Sequence, residues 1–287
     1  KNYLHNMRAF IFTILLFVGG LGFSQINTPR FSPSTEIKQM VGLTEIEVKY
    51  SRPSMRGREI FGNLVPYDKI WRTGADNSTK ISFTTDVIID DNKIKAGTYS
   101  IFSIPKQDEW LVMLYSDVEL WGVPRDWSDD KIVFSSTYKV NKINPVETFT
   151  ISFNDLTNND VNMSISWENS SVDVKIEVPT RSMVEKDISN VLNDNPKASD
   201  YYAAAVFYRQ ENINLSQALL WMNKAIEMFE NPRFYHYRQQ SLLMAANNKF
   251  SEAIDAANKS LNDAIKADNQ GYVKMNRQSI AEWSKKL

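Results

Sequence analysis

The chain has 287 residues, 43% hydrophobic and 23% charged, with a formal net charge of -1. That is enough for two compact domains and too neutral for a polyelectrolyte partner such as nucleic acid. It contains no cysteine, and its only histidines are His5 and His236, which excludes disulfides, thiolate catalysis, Cys-based zinc sites and a cysteine-linked lipid anchor, and argues against a Ser-His-Asp triad or a multi-histidine metal centre in the N-terminal domain.

Lys1 and Arg8 precede an apolar run from Ala9 to Val18, followed by Gly19-Gly20-Leu21-Gly22-Phe23-Ser24-Gln25. A basic start, a short apolar core and small residues at Gly22 and Ser24 predict a secretory signal peptide over 1–24, cleaved after Ser24. The core falls short of the ~20 residues a spanning helix needs. The mature protein is therefore expected to be exported, soluble, and periplasmic or extracellular, with no membrane span after cleavage.

From about Glu45 to Val178 the pattern alternates with period two, the mark of half-buried strands. Ile81, Phe83, Val87 and Ile89 alternate with polar residues, and Asp90-Asp91-Asn92 supplies a turn. Tyr99–Ile104 follows Gly97 and stops at Pro105, and Trp110–Tyr115, apolar on both faces, predicts a buried central strand. Phe149/Ile151/Phe153, Val161/Met163/Ile165/Trp167 and Val172/Val174/Ile176/Val178 predict three further strands of an antiparallel meander. Short strands with no helical pattern between them predict an antiparallel β-sandwich, or a barrel-like relative, over 25–180.

The period changes after Pro179. A linking helix is predicted within 181–198, and an Ala-rich helical region over 199–287. Leu215-Ser216-Gln217-Ala218-Leu219 matches Phe250-Ser251-Glu252-Ala253-Ile254, and Asn223-Lys224-Ala225-Ile226 matches Asn258-Lys259-Ser260-Leu261. Both pairs are offset by 35 residues (250 − 215; 258 − 223). This two-helix period resembles a degenerate tetratricopeptide repeat, with Gly271–Lys285 as a capping helix, and implies a surface for a protein partner.

The segment Val48–Thr79 is the main site candidate. It sets Arg52, Arg56, Arg58 and Arg72 among Tyr50, Phe61, Tyr67 and Trp71, with Pro53, Gly57 and Gly62 at turns. Two readings stay open. In one, Arg52, Arg58 and Arg72 hold an anionic or carbohydrate ligand, Trp71 is a stacking wall, and Asp76 and Asn77 add polar contacts. In the other, the arginines pair with Glu59, Asp68 and Asp76 and bolt the loop to the sandwich.

The carboxylates at Asp90-Asp91, Asp108-Glu109, Asp126, Asp129-Asp130 and Asp155/Asp160 sit at turn-like positions. Turn chemistry explains them better than paired acid–base catalysis or calcium ligation. Trp121 and Trp127 lie in a Pro- and Asp-rich loop where an exposed indole would mark a sugar- or partner-binding face, whereas Trp110 and Trp167 read as core. His236 has no metal-binding companion in sequence and reads as structural or partner-facing. No metal and no cofactor are expected.

At Tyr50-Ser-Arg-Pro53, Gly57-Arg58, Ile60-Phe-Gly62, Leu64-Val-Pro-Tyr67, Trp71-Arg-Thr-Gly-Ala75, Ala96-Gly-Thr-Tyr-Ser100 and Glu109-Trp110, the chain resembles a secreted bacterial family frequent in Bacteroidetes, domain of unknown function 2911. The likeness runs from about Ser32 to Val178. Typical members have Asn where this chain has Asp76. The resemblance implies a secreted β domain, often followed by tetratricopeptide-like helices, and no activity.

These readings converge on an exported binding protein that is not an enzyme. Two alternatives remain: a periplasmic hydrolase of glycans or esters, which needs two facing carboxylates or a serine with a non-histidine base, and a scaffold in a cell-envelope complex.

Overall fold

The computed structural model describes residues 28–287; the expected signal segment, 1–24, lies outside the described residues. Two compact units divide between Pro179 and Thr180.

The first unit is built from antiparallel strands. In chain order these are β1 (Ser34–Val41), β2 (Thr44–Ser51), β3 (Thr79–Phe83), β4 (Val87–Ile89), β5 (Asn92–Ile94), β6 (Gly97–Pro105), β7 (Glu109–Tyr115), β8 (Ile132–Lys139), β9 (Asn141–Asn154) and β10 (Asp160–Glu177). One sheet has the order β1-β2-β3-β6-β7-β8 and the other β5-β4-β10-β9. The β4–β5 hairpin leaves the first sheet after β3, and the chain returns to it at β6.

Alternation decides which faces meet. On β2, Thr44, Ile46, Val48 and Tyr50 are buried, while Glu45, Glu47 and Lys49 face outward. Ile46, Val48 and Ile81 from one sheet share a core with Phe149, Ile151 and Ile165 from the other, so the unit is a sandwich closed on one apolar layer. Each such aliphatic side chain contributes about 1.5–3 kcal/mol on burial, so Val48→Asp would remove a contact and strand a charge.

Trp110–Tyr115 lies centrally as expected. β7 pairs with β6 and β8 on its two sides. Trp110, Val112 and Leu114 enter the main core. Met113 and Tyr115 point the other way and join Phe102, Ile70, Leu120 and Trp127 in a smaller apolar cluster. Residues from the β2–β3 and β7–β8 connections therefore cover the outer face of this sheet.

β10 is two arms in one element. Val178 N–H donates to Asn159 O at 2.7 Å, and Ser166 Oγ donates to Ser171 Oγ at 2.9 Å. A straight strand would hold residues 159 and 178 roughly 60 Å apart, so the strand folds back, and it does so at Glu168-Asn169. Glu168 takes the left-handed conformation there (φ 51).

The second unit holds helices α1 (Thr180–Leu192), α2 (Ala198–Gln210), α3 (Leu215–Met228), α4 (Phe234–Ala246), α5 (Phe250–Lys266) and α6 (Gln270–Trp283). The starts of α3 and α5 reproduce the 35-residue offset of the sequence repeat (250 − 215). Ala204, Ala205, Ala218, Ala225, Ala253, Ala256, Ala257 and Ala264 are buried, and their small side chains let successive helices approach closely. Asn214 and Asn269 cap α3 and α6 by accepting from Gln217 N–H and Tyr272 N–H. Among the described residues no helix is long and apolar enough to cross a membrane.

Candidate functional site

The segment after β2 leaves the sheet because Pro53 has no N–H to offer a ladder. It is then fixed to the opposite sheet by contacts of long sequence separation. Pro53 O accepts from Phe149 N–H at 2.9 Å, and Met55 N–H donates to Glu147 O at 2.8 Å. Ser54 and Thr148 join by their hydroxyls at 2.9 Å. Arg56 and Gly57 both take positive φ (51 and 72), which turns the chain sharply at Arg58.

The charged side chains here bond to backbone rather than to each other. Arg52 donates Nε to Phe149 O at 3.0 Å and Nη2 to Thr150 Oγ1 at 2.8 Å. Arg58 donates to Met55 O and Ser54 O, at 2.9 and 2.7 Å. Arg56 donates to Phe31 O at 3.0 Å and lies 5.1 Å from the Phe31 ring centre. On the acidic side, Glu147 Oε1 accepts from Arg56 N–H at 2.8 Å. The Glu168 carboxylate accepts from Ile60 N–H at 3.0 Å and Phe61 N–H at 3.4 Å. Among the described residues, none of Arg52, Arg56, Arg58 and Arg72 forms an ion pair. Glu59, Asp68 and Asp76, the pairing partners considered from sequence, hold none of them.

Trp71 is positioned from both sides. Its backbone exchanges hydrogen bonds with Ser103 of β6, at 2.7 and 2.8 Å. Its Nε1 donates to Gly74 O at 3.0 Å. Gly74 (φ 152) leaves no room for a side chain, since a Cβ would stand 2.9 Å from Thr79 Oγ1. The indole stacks on Trp167 (6.0 Å, 20°) and meets Trp110, Phe61 and Phe149 edge-on.

A cleft of about 500 Å³ opens over this cluster. Trp71 and Trp167 line it, Phe31 and Ser32 form part of one wall, and Arg56, Arg58 and Arg72 reach it. Among the described residues, no carboxylate lines it. Arg72 differs from its neighbours: its Nε is buried and, among the described residues, has no hydrogen-bond partner. Arg58, Trp71 and Arg72 of the sequence-predicted set thus share the cleft. Arg52 is engaged with β9, and Asp76 lines a neighbouring depression of about 440 Å³ with Glu36, Lys49 and Lys80.

The loop after β7 passes beside Arg72. A Cβ on Gly122 would stand 3.6 Å from Arg72 Nη1, an ordinary contact distance, so the loop and the guanidinium are neighbours, and it is the positive φ (83) that favours glycine there. The loop is pinned by Ser78 N–H to Leu120 O at 3.0 Å, by Lys131 to Asp117 at 2.7 Å, and by Trp127 stacked on Tyr115 at 4.5 Å. Trp121, next to Gly122, is nevertheless 73% exposed. A pinned loop that holds an indole in water offers a flat apolar platform.

The remaining candidates have structural employment. Asp90 and Asp91 both take positive φ in a tight turn. Asp90 accepts the Tyr138 hydroxyl at 2.7 Å, and burial followed by this bond holds the phenol pKa far above its ordinary value. Asp129 accepts from Trp127 Nε1. Ser164 donates to Asp173 across the β10 arms, with Asn154 and Asn141 completing the set. His236 is buried, and its Nδ1 accepts from Arg233 N–H at 3.0 Å; burial, then the Arg233 charge, lowers its pKa. No group of metal-binding side chains occurs among the described residues.

Sequence reasoning missed Glu147, Glu168 and the Thr148–Thr150 stretch. Nothing local in the sequence announces the reach of Glu168 to Ile60, a residue 108 positions away.

No curated protein and no solved structure matches the chain. Residues 32–176, about half its length and the whole of the Arg/Trp cleft segment, match the family described as protein of unknown function DUF2911, and the chain belongs to that family.

Proposed function

We propose that the mature chain is an exported binding protein whose β unit takes an anionic ligand in the Arg72 cleft. The observation that carries this reading is Arg72 itself. Among the described residues, a guanidinium with a buried, unpartnered Nε reaches a cleft lined by two more arginines and by no carboxylate. The Nε atom itself is out of a ligand's reach, so a carboxylate or sulfate would be held by the terminal nitrogens of Arg72, whose side chain reaches the cleft. Arg58 and Arg56 are already fixed through backbone carbonyls, so they present charge without having to be ordered on binding. Trp71 and Trp167 supply the apolar wall. Trp121 extends the surface outward, which favours an acidic saccharide: one group for Arg72 and one ring face for the indole.

Calorimetric titration with oligogalacturonate, against neutral maltooligosaccharide, tests this. Binding of the acidic oligomer is expected to fall about 10-fold or more in R72Q, and by several-fold in W121A. Equal binding of both sugars, or unchanged affinity in R72Q, would refute the reading.

Export rests on the basic-apolar-small pattern of 1–24. Mass spectrometry of the protein recovered from a secreting host is expected to find Gln25 first; an intact N-terminus would overturn it. A protein partner on the helical unit is favoured by an apolar groove of about 320 Å³ lined by Val184, Ile188, Val191, Leu192 and Phe207. V191D should weaken any stable complex isolated with the native chain. The paired-carboxylate form of the hydrolase alternative lacks support at the cleft, which no carboxylate lines among the described residues.

A further inference from the structure

The helical pairs α2/α3 and α4/α5 open on the same capping contact, made by different side chains. At the start of α2 the third helical residue is Asp200, whose carboxylate accepts from Lys197 N–H at 2.8 Å. At the start of α4 the equivalent position, 36 residues on (236 − 200), is His236. Its Nδ1 accepts from Arg233 N–H at 3.0 Å. Glu or Gln usually plays this part, because a helix start leaves its first amides without partners. Neither Lys197 nor Arg233 has a side-chain acceptor of its own to offer.

The two caps differ in what a proton does to them. A carboxylate goes on accepting until the pH nears ~4, whereas an imidazole takes up a proton near pH ~6.5. Protonated Nδ1 is a donor, and it would then face the Arg233 donor with no bond between them.

His236 is 7% exposed. Its ring stacks on Phe229, at the end of α3, at 4.1 Å and 8°. It meets Tyr202 of α2 and the adjacent Tyr235 edge-on, at 4.9 and 4.4 Å. Among the described residues the formal charge that acts on the ring is Arg233, of the same sign as an imidazolium. From α2 and α3 it faces Tyr202, a phenol that burial keeps neutral, and Phe229. The positive end of the α4 dipole adds to the repulsion. The Phe229 face would attract an imidazolium and offset part of this, but it cannot replace the lost acceptor. Burial first, then Arg233, hold the imidazole pKa below its ordinary 6.5.

The first turn of α4 is also where the other helices converge. α2 and the end of α3 reach it through Tyr202 and Phe229. From α5, Ser260 Oγ donates to Phe234 O at 2.7 Å, and from α6, Tyr272 packs edge-on against Phe234 at 4.8 Å.

We infer that His236 is an acid-sensitive latch between the two helical pairs: uptake of one proton releases the start of α4 from α2 and from the end of α3. With the folded-state pKa lowered, the unfolded chain binds the proton more readily. The latch therefore contributes its full stability above pH ~6.5 and loses it as the pH falls below that value. The device is independent of the Arg72 cleft.

The test is thermal melting of the full chain, followed by far-UV circular dichroism of the helices. His5 falls in 1–24 and His236 is the other histidine of the chain, so among the described residues one histidine titrates between pH ~7.5 and ~5. Over that interval the unfolding constant of the helices is expected to rise about fivefold or more, lowering their melting temperature by about 4 °C or more. H236Q keeps an acceptor at the same position that does not titrate, and should remove the pH dependence. Titration of the His236 ring by nuclear magnetic resonance in the parent chain keeps the inference falsifiable if that variant fails to fold; a pKa below 6.5 is expected. A pKa at or above 6.5, a helical transition that does not move with pH, or an undiminished pH dependence in folded H236Q would overturn the latch.

Discussion

Glu168 carries two opposing effects whose sum can be measured. Its backbone stands at φ 51, a conformation that costs a non-glycine residue about 1–2 kcal/mol. Its carboxylate accepts from two amides of the loop that carries Arg58, at 3.0 and 3.4 Å. A hydrogen bond to a charged group is worth about 1.5–3 kcal/mol, and the longer bond adds about 0.5–1 kcal/mol. Glu168→Gly relieves the strain and loses the clamp, for a net loss of about 1.5 kcal/mol. Glu168→Ala loses the clamp and keeps the strain, so it should be worse by about 1 kcal/mol. At roughly 2–4 °C per kcal/mol for a unit of this size, the glycine variant should melt about 3–6 °C lower. Near-UV circular dichroism is a suitable probe, because the Trp71–Trp167 stack dominates the β unit's aromatic core. Amide exchange at Ile60 and Phe61 reads the loop separately from the rest of the two-unit chain. A glycine variant that melts at or above the parent, with exchange at Ile60 unchanged, would refute the clamp.

Three other expectations follow from the same contacts. Asp86 accepts from Ala96 N–H and then from Lys95 and Lys93, which lowers its carboxyl from 3.8 to about 2. A lowered folded-state pKa gives stability above pH ~4 that is lost as the pH falls toward ~2, so D86N should flatten the melting temperature against pH in that window; identical profiles would dismiss the contact. Arg52→Ala removes two bonds to β9 and should cost about 1–2 kcal/mol in chemical denaturation while leaving anion affinity within about twofold; an R72Q-like loss of affinity would mean that Arg52 acts on the ligand. Gly74→Ala would press a methyl to 2.9 Å from Thr79 Oγ1 and 3.3 Å from Ser51 O, and should lower the β unit's melting temperature by at least ~5 °C; near-parental melting would show that Thr79 moves freely.

The layered β unit was legible because alternation is a local property. Ile81, Phe83, Val87 and Ile89 alternate in the text and are buried in the structure. β1 escaped notice because its pattern, Ser34–Val41, is exposed or half-exposed almost throughout and buries only Val41; it is an edge strand held by pairing with β2 rather than by its own apolar face. The arginine segment could be located but not interpreted. Which arginine remains unengaged depends on what β9 and β10 offer, and that is set by residues about a hundred positions downstream. Neither of the two sequence readings anticipated that the arginines and glutamates of this region would both satisfy backbone groups. Oppositely charged side chains close in sequence suggest pairing, whereas a loop leaving a sheet has unpaired carbonyls and amides that compete for the same partners.

The long reach of these anchors also sets an order of events during folding. Arg52 waits for Phe149 and Thr150, Arg56 for Glu147, and Ile60 for Glu168, separations of 97, 98, 91 and 108 residues. Closing such loops is entropically expensive and gains nothing until both ends are present. As the chain emerges N-terminus first, the arginine segment is synthesised early and stays unanchored until the last hairpin of the β unit arrives. The cleft is therefore among the final parts of that unit to acquire its shape, and a chain that stops short of β10 would carry all the arginines with the glutamate clamp missing.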